Sequence, residues 1–177
     1  MFEGELAEQR VIVWDKGSFN ELLESGYGKE IDEKIEITLV EAMYLVNKDK
    51  LKVLHEKGKE MGKEEFFSYC EENEMNFHAR LIVYTDLRER GFLVKTGFKF
   101  GCDFRVYERG VKLKKGPKQA HEHTKWLVHA IPEEFSCSFP ELSRAVRLAQ
   151  NIRTEMIWAI VDSESDVTYY KITRITP

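Results

Sequence analysis

The chain has 177 residues, enough for one large domain or two small ones, with 42% hydrophobic and 12% aromatic residues to build a core. Its formal net charge of −4 excludes a global pull toward nucleic acid, so any RNA site must be a local basic patch on an acidic body. Cys70, Cys102 and Cys137 are far apart with no CxxC spacing, which excludes a disulfide framework and predicts reduced, packed thiols in a cytoplasmic protein. The opening MFEGELAEQR has neither the positive flank nor the apolar run of a signal peptide, and no apolar run approaches the ~20 residues of a membrane span.

Leu6 to Trp14 reads as a short strand. Ser18 and Glu21 have the spacing of a capping box at the head of a helix, SFNELLES, which Gly26 can close. Ile35–Ile37 is a brief strand, and Thr38 with Glu41 makes a second capping box for the helix LVEAMYLVN. Leu51–Leu54 alternates with lysine and predicts a strand; Lys57–Lys63 is a charged turn. Glu64 to about Arg90 is helical in pattern with a break near Asn73–Asn76, and Gly91 stops it. Residues 1–83 thus form a small N-terminal α/β domain with no catalytic constellation, suited to support or assembly.

The second domain is expected over 84–177. Phe92–Lys95 and Phe98–Tyr107 predict a hairpin about the turn Thr96-Gly97. In GFKFGCDFRVYER, Phe98, Phe100, Cys102, Phe104 and Val106 fall on one face. Lys99, Gly101, Asp103, Arg105 and Tyr107 fall on the other, which sets an acid, a base and a phenol about 6–7 Å apart in a row. Gly110–Thr124 is a loop rich in lysine: Lys112, Lys114, Lys115 and Lys118, with Lys125 just beyond, are either a solvated segment or a phosphate-binding flap. Trp126–Ile131 is a strand. Ser138 and Glu141 box the start of a helix from Phe139 to about Met156. That helix buries Leu142, Ala145, Val146, Ala149, Ile152 and Met156 and turns Arg144, Arg147, Asn151 and Thr154 outward. Ile157–Val161 is apolar throughout, as expected of a strand buried on both faces. An acidic turn, Asp162 to Asp166, leads to a final strand Val167–Ile175. The order β-β-β-α-β-β predicts a mixed sheet with one helix against it.

His121 and His123 form an HxH, and with Glu122 or His129 they make a weak metal option; no Cys/His cluster has zinc spacing. A metal-dependent nuclease would need clustered acids on the core strands, where Asp103 stands nearly alone.

The segments TGFKFGCDFRVYERG, EHTKWLVHAIP and SRAVRLAQNIRTEMIWAIVDSESDVTYY resemble the C-terminal half of archaeal tRNA-splicing endonucleases, and SGYGKEI with LVEAMYLV extends the likeness through the N-terminal half. The resemblance implies an N-terminal α/β domain followed by a restriction-nuclease-like mixed-sheet domain, that is, an α+β chain of two domains. It also implies metal-free, cofactor-free cleavage of pre-tRNA at a bulge-helix-bulge, giving a 2′,3′-cyclic phosphate and a 5′-hydroxyl. Such chemistry needs a proton acceptor, a proton donor and positive charge on the phosphorane-like transition state. By resemblance Tyr107 assists the 2′-hydroxyl and His123 is the general acid. The third family position, a lysine after an arginine, holds Thr154 here, after Arg153. Arg147, two turns back on roughly the same helix face, or Lys125, on the strand after His123, is expected to reach that gap. Arg147 and Arg174 match the family arginines that stack on a bulged base. Asp162, Glu164 and Asp166 match an acidic loop that inserts into a neighbouring subunit. The chain length resembles the single-repeat type, which implies a homotetramer or a hetero-oligomer with a related subunit. Two functions follow: an endoribonuclease, or a non-catalytic structural and RNA-binding subunit silenced by Thr154.

Overall fold

The computed structural model describes residues 1–55, 58–97, 101–112, 123–175 and 177. These form two compact units, Met1–Tyr84 and Thr85–Pro177, each built on one five-stranded mixed sheet. Five α-helices accompany the ten strands of the described residues. None of those helices is long and apolar enough to cross a membrane.

In the first unit the chain opens with a hairpin rather than the single strand Leu6–Trp14. Strand β1 (Phe2–Ala7) alternates buried and exposed residues and pairs antiparallel with β2 (Arg10–Val13). The turn between them needs Glu8 at a φ of 49°, which no glycine advertised. The expected Ser18–Glu21 box does not form. Asp15 takes the role instead: its carboxylate accepts from Gly17 N at 3.1 Å and from the Ser18 hydroxyl at 2.6 Å. Ser18 thereby ends a 3-10 turn, Lys16–Ser18, and helix α1 (Phe19–Glu24) follows without a side-chain cap. Gly26, at φ 81°, closes that helix as expected.

Strand β3 (Lys29–Ile31), too short and charged to read from the sequence, edges the sheet beside β4 (Lys34–Thr38). The Thr38–Glu41 box caps α2 (Leu39–Asn47) as expected, and Glu41, almost fully buried, also accepts from Gly28 N at 3.2 Å. Strand β5 (Leu51–Leu54) runs parallel to β1, giving the order β3-β4-β2-β1-β5. Helices α3 (Lys63–Asn73) and α4 (Phe77–Glu89) are separated at the expected break, and Gly91 at φ 86° ends the second. Between α3 and α4, Glu74 and Arg80 form an ion pair with both side chains 7% exposed.

The second unit has the order β10-β9-β8-β7-β6, with β6 (Leu93–Thr96), β7 (Phe104–Tyr107), β8 (Trp126–Pro132), β9 (Glu155–Val161) and β10 (Val167–Ile172). β8 and β9 are parallel, and α5 (Phe139–Asn151) makes the crossover that a parallel pair requires. The other pairs are antiparallel. Cys102, Leu127, Ala149 and Met156 form a core cluster, with Ala145, Leu148 and Trp158 packed against it.

Four expectations change here. The strand before Tyr107 starts at Phe104, because Gly101–Asp103 turn; Phe98, Lys99 and Phe100 lie outside the described residues. A side chain at Gly97 would put its Cβ 2.4 Å from the Cys102 sulfur, so that turn closes only over a bare backbone. Helix α5 stops at Asn151 rather than Met156, and β10 stops at Ile172 rather than Ile175. Along β9, Ile157, Ala159 and Val161 are buried but Trp158 and Ile160 are only half-buried, so the strand is not sealed on both faces.

Candidate functional site

The end of α5 decides where Thr154 goes. The Ser138–Glu141 box fixes the start of this helix, with Glu141 accepting from Ser138 N at 2.7 Å and from its hydroxyl at 2.8 Å. At the other end Ile152 leaves the helix and Arg153 takes a left-handed φ of 56°. Arg153 N donates to Gln150 O at 3.0 Å and Thr154 N to Ala149 O at 2.9 Å. This pair of bonds is a Schellman motif, normally built on glycine. Thr154 is therefore not one more helix residue above Arg147, as the periodicity implied. It is the residue immediately before β9.

β7 ends at Tyr107, while β8 and β9 begin side by side with Trp126 opposite Glu155. Val106 pairs with Trp126, and Lys125 N donates to Val106 O at 2.8 Å. The Thr154 hydroxyl lies 2.6 Å from the Lys125 carbonyl and 3.1 Å from that of Thr124. Three segments distant in sequence, ending at Tyr107, starting at His123 and starting at Thr154, thus meet at one end of the sheet.

The side chains differ sharply in access. His123 is exposed. Tyr107 is 1% exposed, so the expected solvent-facing row of Asp103, Arg105 and Tyr107 does not exist. Its other members are engaged with backbone: Asp103 accepts from Ala130 N at 2.9 Å, and Arg105 Nε donates to Thr96 O at 3.0 Å. Asp103 also lies 3.6 Å from His129 Nδ1. His121 and Glu122 lie outside the described residues, as do Lys114, Lys115 and Lys118; among those described, no three His, Cys, Asp or Glu gather as a metal site.

Cations line this end. Lys125 Nζ pairs with Glu108 at 2.7 Å and stands 4.6 Å from the Trp126 ring centre. Arg109 lies 4.8 Å over Phe92. It follows Tyr107 by two residues, and its place in the ERG after the strand was the available sequence signal. Glu155 sits below the ordinary carboxylate range, chiefly through its hydrogen bond from Lys171 at 2.8 Å, with the Trp126 indole N–H a smaller contributor.

Arg147 is exposed on α5, three residues before Gln150, whose amide donates to the Arg174 carbonyl at 3.5 Å. The Arg174 backbone thereby reaches the C-terminal end of α5, the helix that carries Arg147, although Arg174 lies past β10 rather than on it. The acidic turn is organised by Asp162, whose carboxylate accepts from Glu164 N and Asp166 N, each at 2.9 Å. Glu164 and Asp166 are left exposed at the hairpin tip.

Comparison with known proteins gives a consistent answer. The family model of the tRNA intron endonuclease catalytic C-terminal domain matches residues 77–169, and that of the N-terminal domain matches 2–67. A tRNA-splicing endonuclease of Thermococcus kodakarensis is 40% identical over 168 residues, 94% of each chain. That of Thermococcus onnurineus is 37% identical over 171 residues, 96% of this chain and 94% of the relative. That of Methanococcoides burtonii is 38% identical over 170 residues, 95% of this chain but 47% of the relative. Matched in both domains and along nearly its whole length, the chain belongs to the tRNA intron endonuclease family.

Proposed function

We propose that this chain is an endoribonuclease that cuts pre-tRNA at bulge-helix-bulge intron junctions, without metal or cofactor, leaving a 2′,3′-cyclic phosphate and a 5′-hydroxyl. The observation that carries the reading is the meeting of the Tyr107, His123 and Thr154 segments at one sheet end. His123 is the accessible proton-transfer group, and an imidazole has the right range to protonate a leaving 5′-oxygen near neutral pH. Tyr107, buried at the strand end, acts on the 2′-hydroxyl once bound RNA opens its side of the site. Positive charge for the transition state comes from Lys125 or Arg109, because threonine at 154 has none. Arg147, Arg174 and Lys125 hold RNA, with stacking of arginine planes on unpaired bases as the mode. The chain works as a homotetramer or with a related subunit, Glu164 and Asp166 of the acidic turn entering a partner while Asp162 shapes it.

A second reading has a specific observation in its favour. The Thr154 hydroxyl faces backbone carbonyls, so it offers no donor to a phosphate. On that reading the chain binds RNA and supports assembly while another subunit cuts.

The test is incubation of the purified chain in EDTA with a bulge-helix-bulge RNA, beside the same RNA carrying a 2′-deoxyribose at each junction. The enzyme reading expects cyclic-phosphate ends from the first and none from the second. Intact RNA in both lanes supports the silent subunit, and cutting of the deoxy substrate rejects attack by the 2′-hydroxyl.

A further inference from the structure

We infer that Thr154 is a positioning residue: its hydroxyl pins the backbone that carries His123, so that the residue at the family lysine position acts through the chain instead of on the phosphate. The inference rests on the proposed role of His123.

His123 makes no hydrogen bond among the described residues, and its ring is exposed. Among the described residues, the two that follow it carry its backbone. Those are held from both sides. On one side Lys125 N donates to Val106 O at 2.8 Å, tying the segment to β7. On the other side the Thr154 hydroxyl reaches the Lys125 carbonyl at 2.6 Å and the Thr124 carbonyl at 3.1 Å, tying it to the start of β9. A hydroxyl has one proton, so the shorter contact is the principal bond and the longer one shares it. Thr154 can do this because the Schellman bonds of Arg153 N and Thr154 N fix its own backbone against α5. The regular pairing of β8 with β9 begins at Trp126 and Glu155, so the Thr154 hydroxyl ties the chain to β9 at the two residues just before that pairing.

Lysine at this position has no hydroxyl to give to these carbonyls. The two residue types thus solve different problems: one supplies charge, the other fixes the histidine. Thr154→Lys exchanges the bond for a cation and does not simply repair the site.

The experiment compares wild type, Thr154→Val and Thr154→Ser. Single-turnover cleavage of bulge-helix-bulge RNA is measured against pH and RNA concentration. The His123 ring resonance, assigned by its loss in His123→Ala, is recorded alongside. Valine keeps the shape and removes the hydroxyl; a displacement near 1 Å at a catalytic group costs ~100-fold in rate. The expected result is such a loss in kcat for Val with KM unchanged, a moved or broadened His123 resonance, and recovery of both in Ser. A valine variant with wild-type rate and an unmoved resonance overturns the inference. If wild type proves inert, the proposed activity fails on its own and the resonance still decides: unmoved in Val rejects the bond, moved in Val and restored in Ser supports it. Should Val not fold, the hydroxyl proton of Thr154 in wild type is read directly. Slow exchange with solvent supports the bond, and rapid exchange rejects it.

Discussion

Arg153→Gly tests the placement of the helix end, on which the position of Thr154 depends. Arg153 sits at φ 56° with an exposed side chain. A left-handed L-residue costs roughly 1–2 kcal/mol through its Cβ, which glycine lacks. Glycine also frees the unfolded chain, returning about 0.4–1 kcal/mol of that gain. The net expectation is a stabilisation of about 0.5–1 kcal/mol, or a rise in Tm of about 1–4 °C for a chain of this size. The assay is thermal and urea unfolding followed by far-UV circular dichroism. If α5 instead ran on to Met156, as its apolar period suggests, position 153 would be helix interior and glycine there would destabilise by about 0.5–1 kcal/mol. The two placements predict opposite signs, so a lowered Tm refutes the Schellman end and the site geometry built on it.

Glu74→Gln leaves Arg80 charged in a pocket where both side chains are 7% exposed, and should cost about 3–5 kcal/mol by urea unfolding; the double change Glu74→Leu with Arg80→Met should regain most of it. A single-variant loss below about 1 kcal/mol would mark the pair as a surface bridge. Among the thiols, burial pushes Cys102 up to about 12 and raises Cys70 further, while Cys137 is partly exposed. A disulfide exchange reagent at neutral pH should therefore label Cys137 quickly and the other two only on unfolding; equal rates for all three would contradict the packing. Glu141 is held below its ordinary 4.5, first by Ser138 N and then by the Ser138 hydroxyl. A depressed carboxylate stabilises above its unfolded value and loses that contribution as pH falls through the folded one, so Tm should drop below about pH 4.5 and drop less in Glu141→Gln. Identical pH profiles would remove the cap from the account.

Much of the fold can be read from local chemistry. Thr38 with Glu41 and Ser138 with Glu141 announce two helix starts, and both boxes form. Ser18 with Glu21 has the same spacing and fails, because Asp15 three residues earlier engages the serine first. The end of α5 is silent in the sequence: position 153 is arginine, not glycine, and Ile152 and Met156 carry the apolar period past the true stop. Met156 is buried as expected, but from a strand. Alternation put Tyr107 on an open face, yet both faces of β7 are covered at that point, since Val106 and Tyr107 are each at most 1% exposed. Candidate site positions were legible through the resemblance of three motifs. What Thr154 bonds to was not, because it depends on two carbonyls thirty and twenty-nine residues away.

The most direct measurement is the single-turnover cleavage rate of a bulge-helix-bulge pre-tRNA in EDTA by wild type and by His123→Ala, with RNA affinity measured in parallel. The account predicts that wild type cuts at both junctions and that the alanine variant is slower by a factor on the order of 10²–10⁴ at equal affinity, the range for loss of a general acid. Cleavage by His123→Ala at the wild-type rate, or tight binding by a wild-type chain that never cuts, would contradict it.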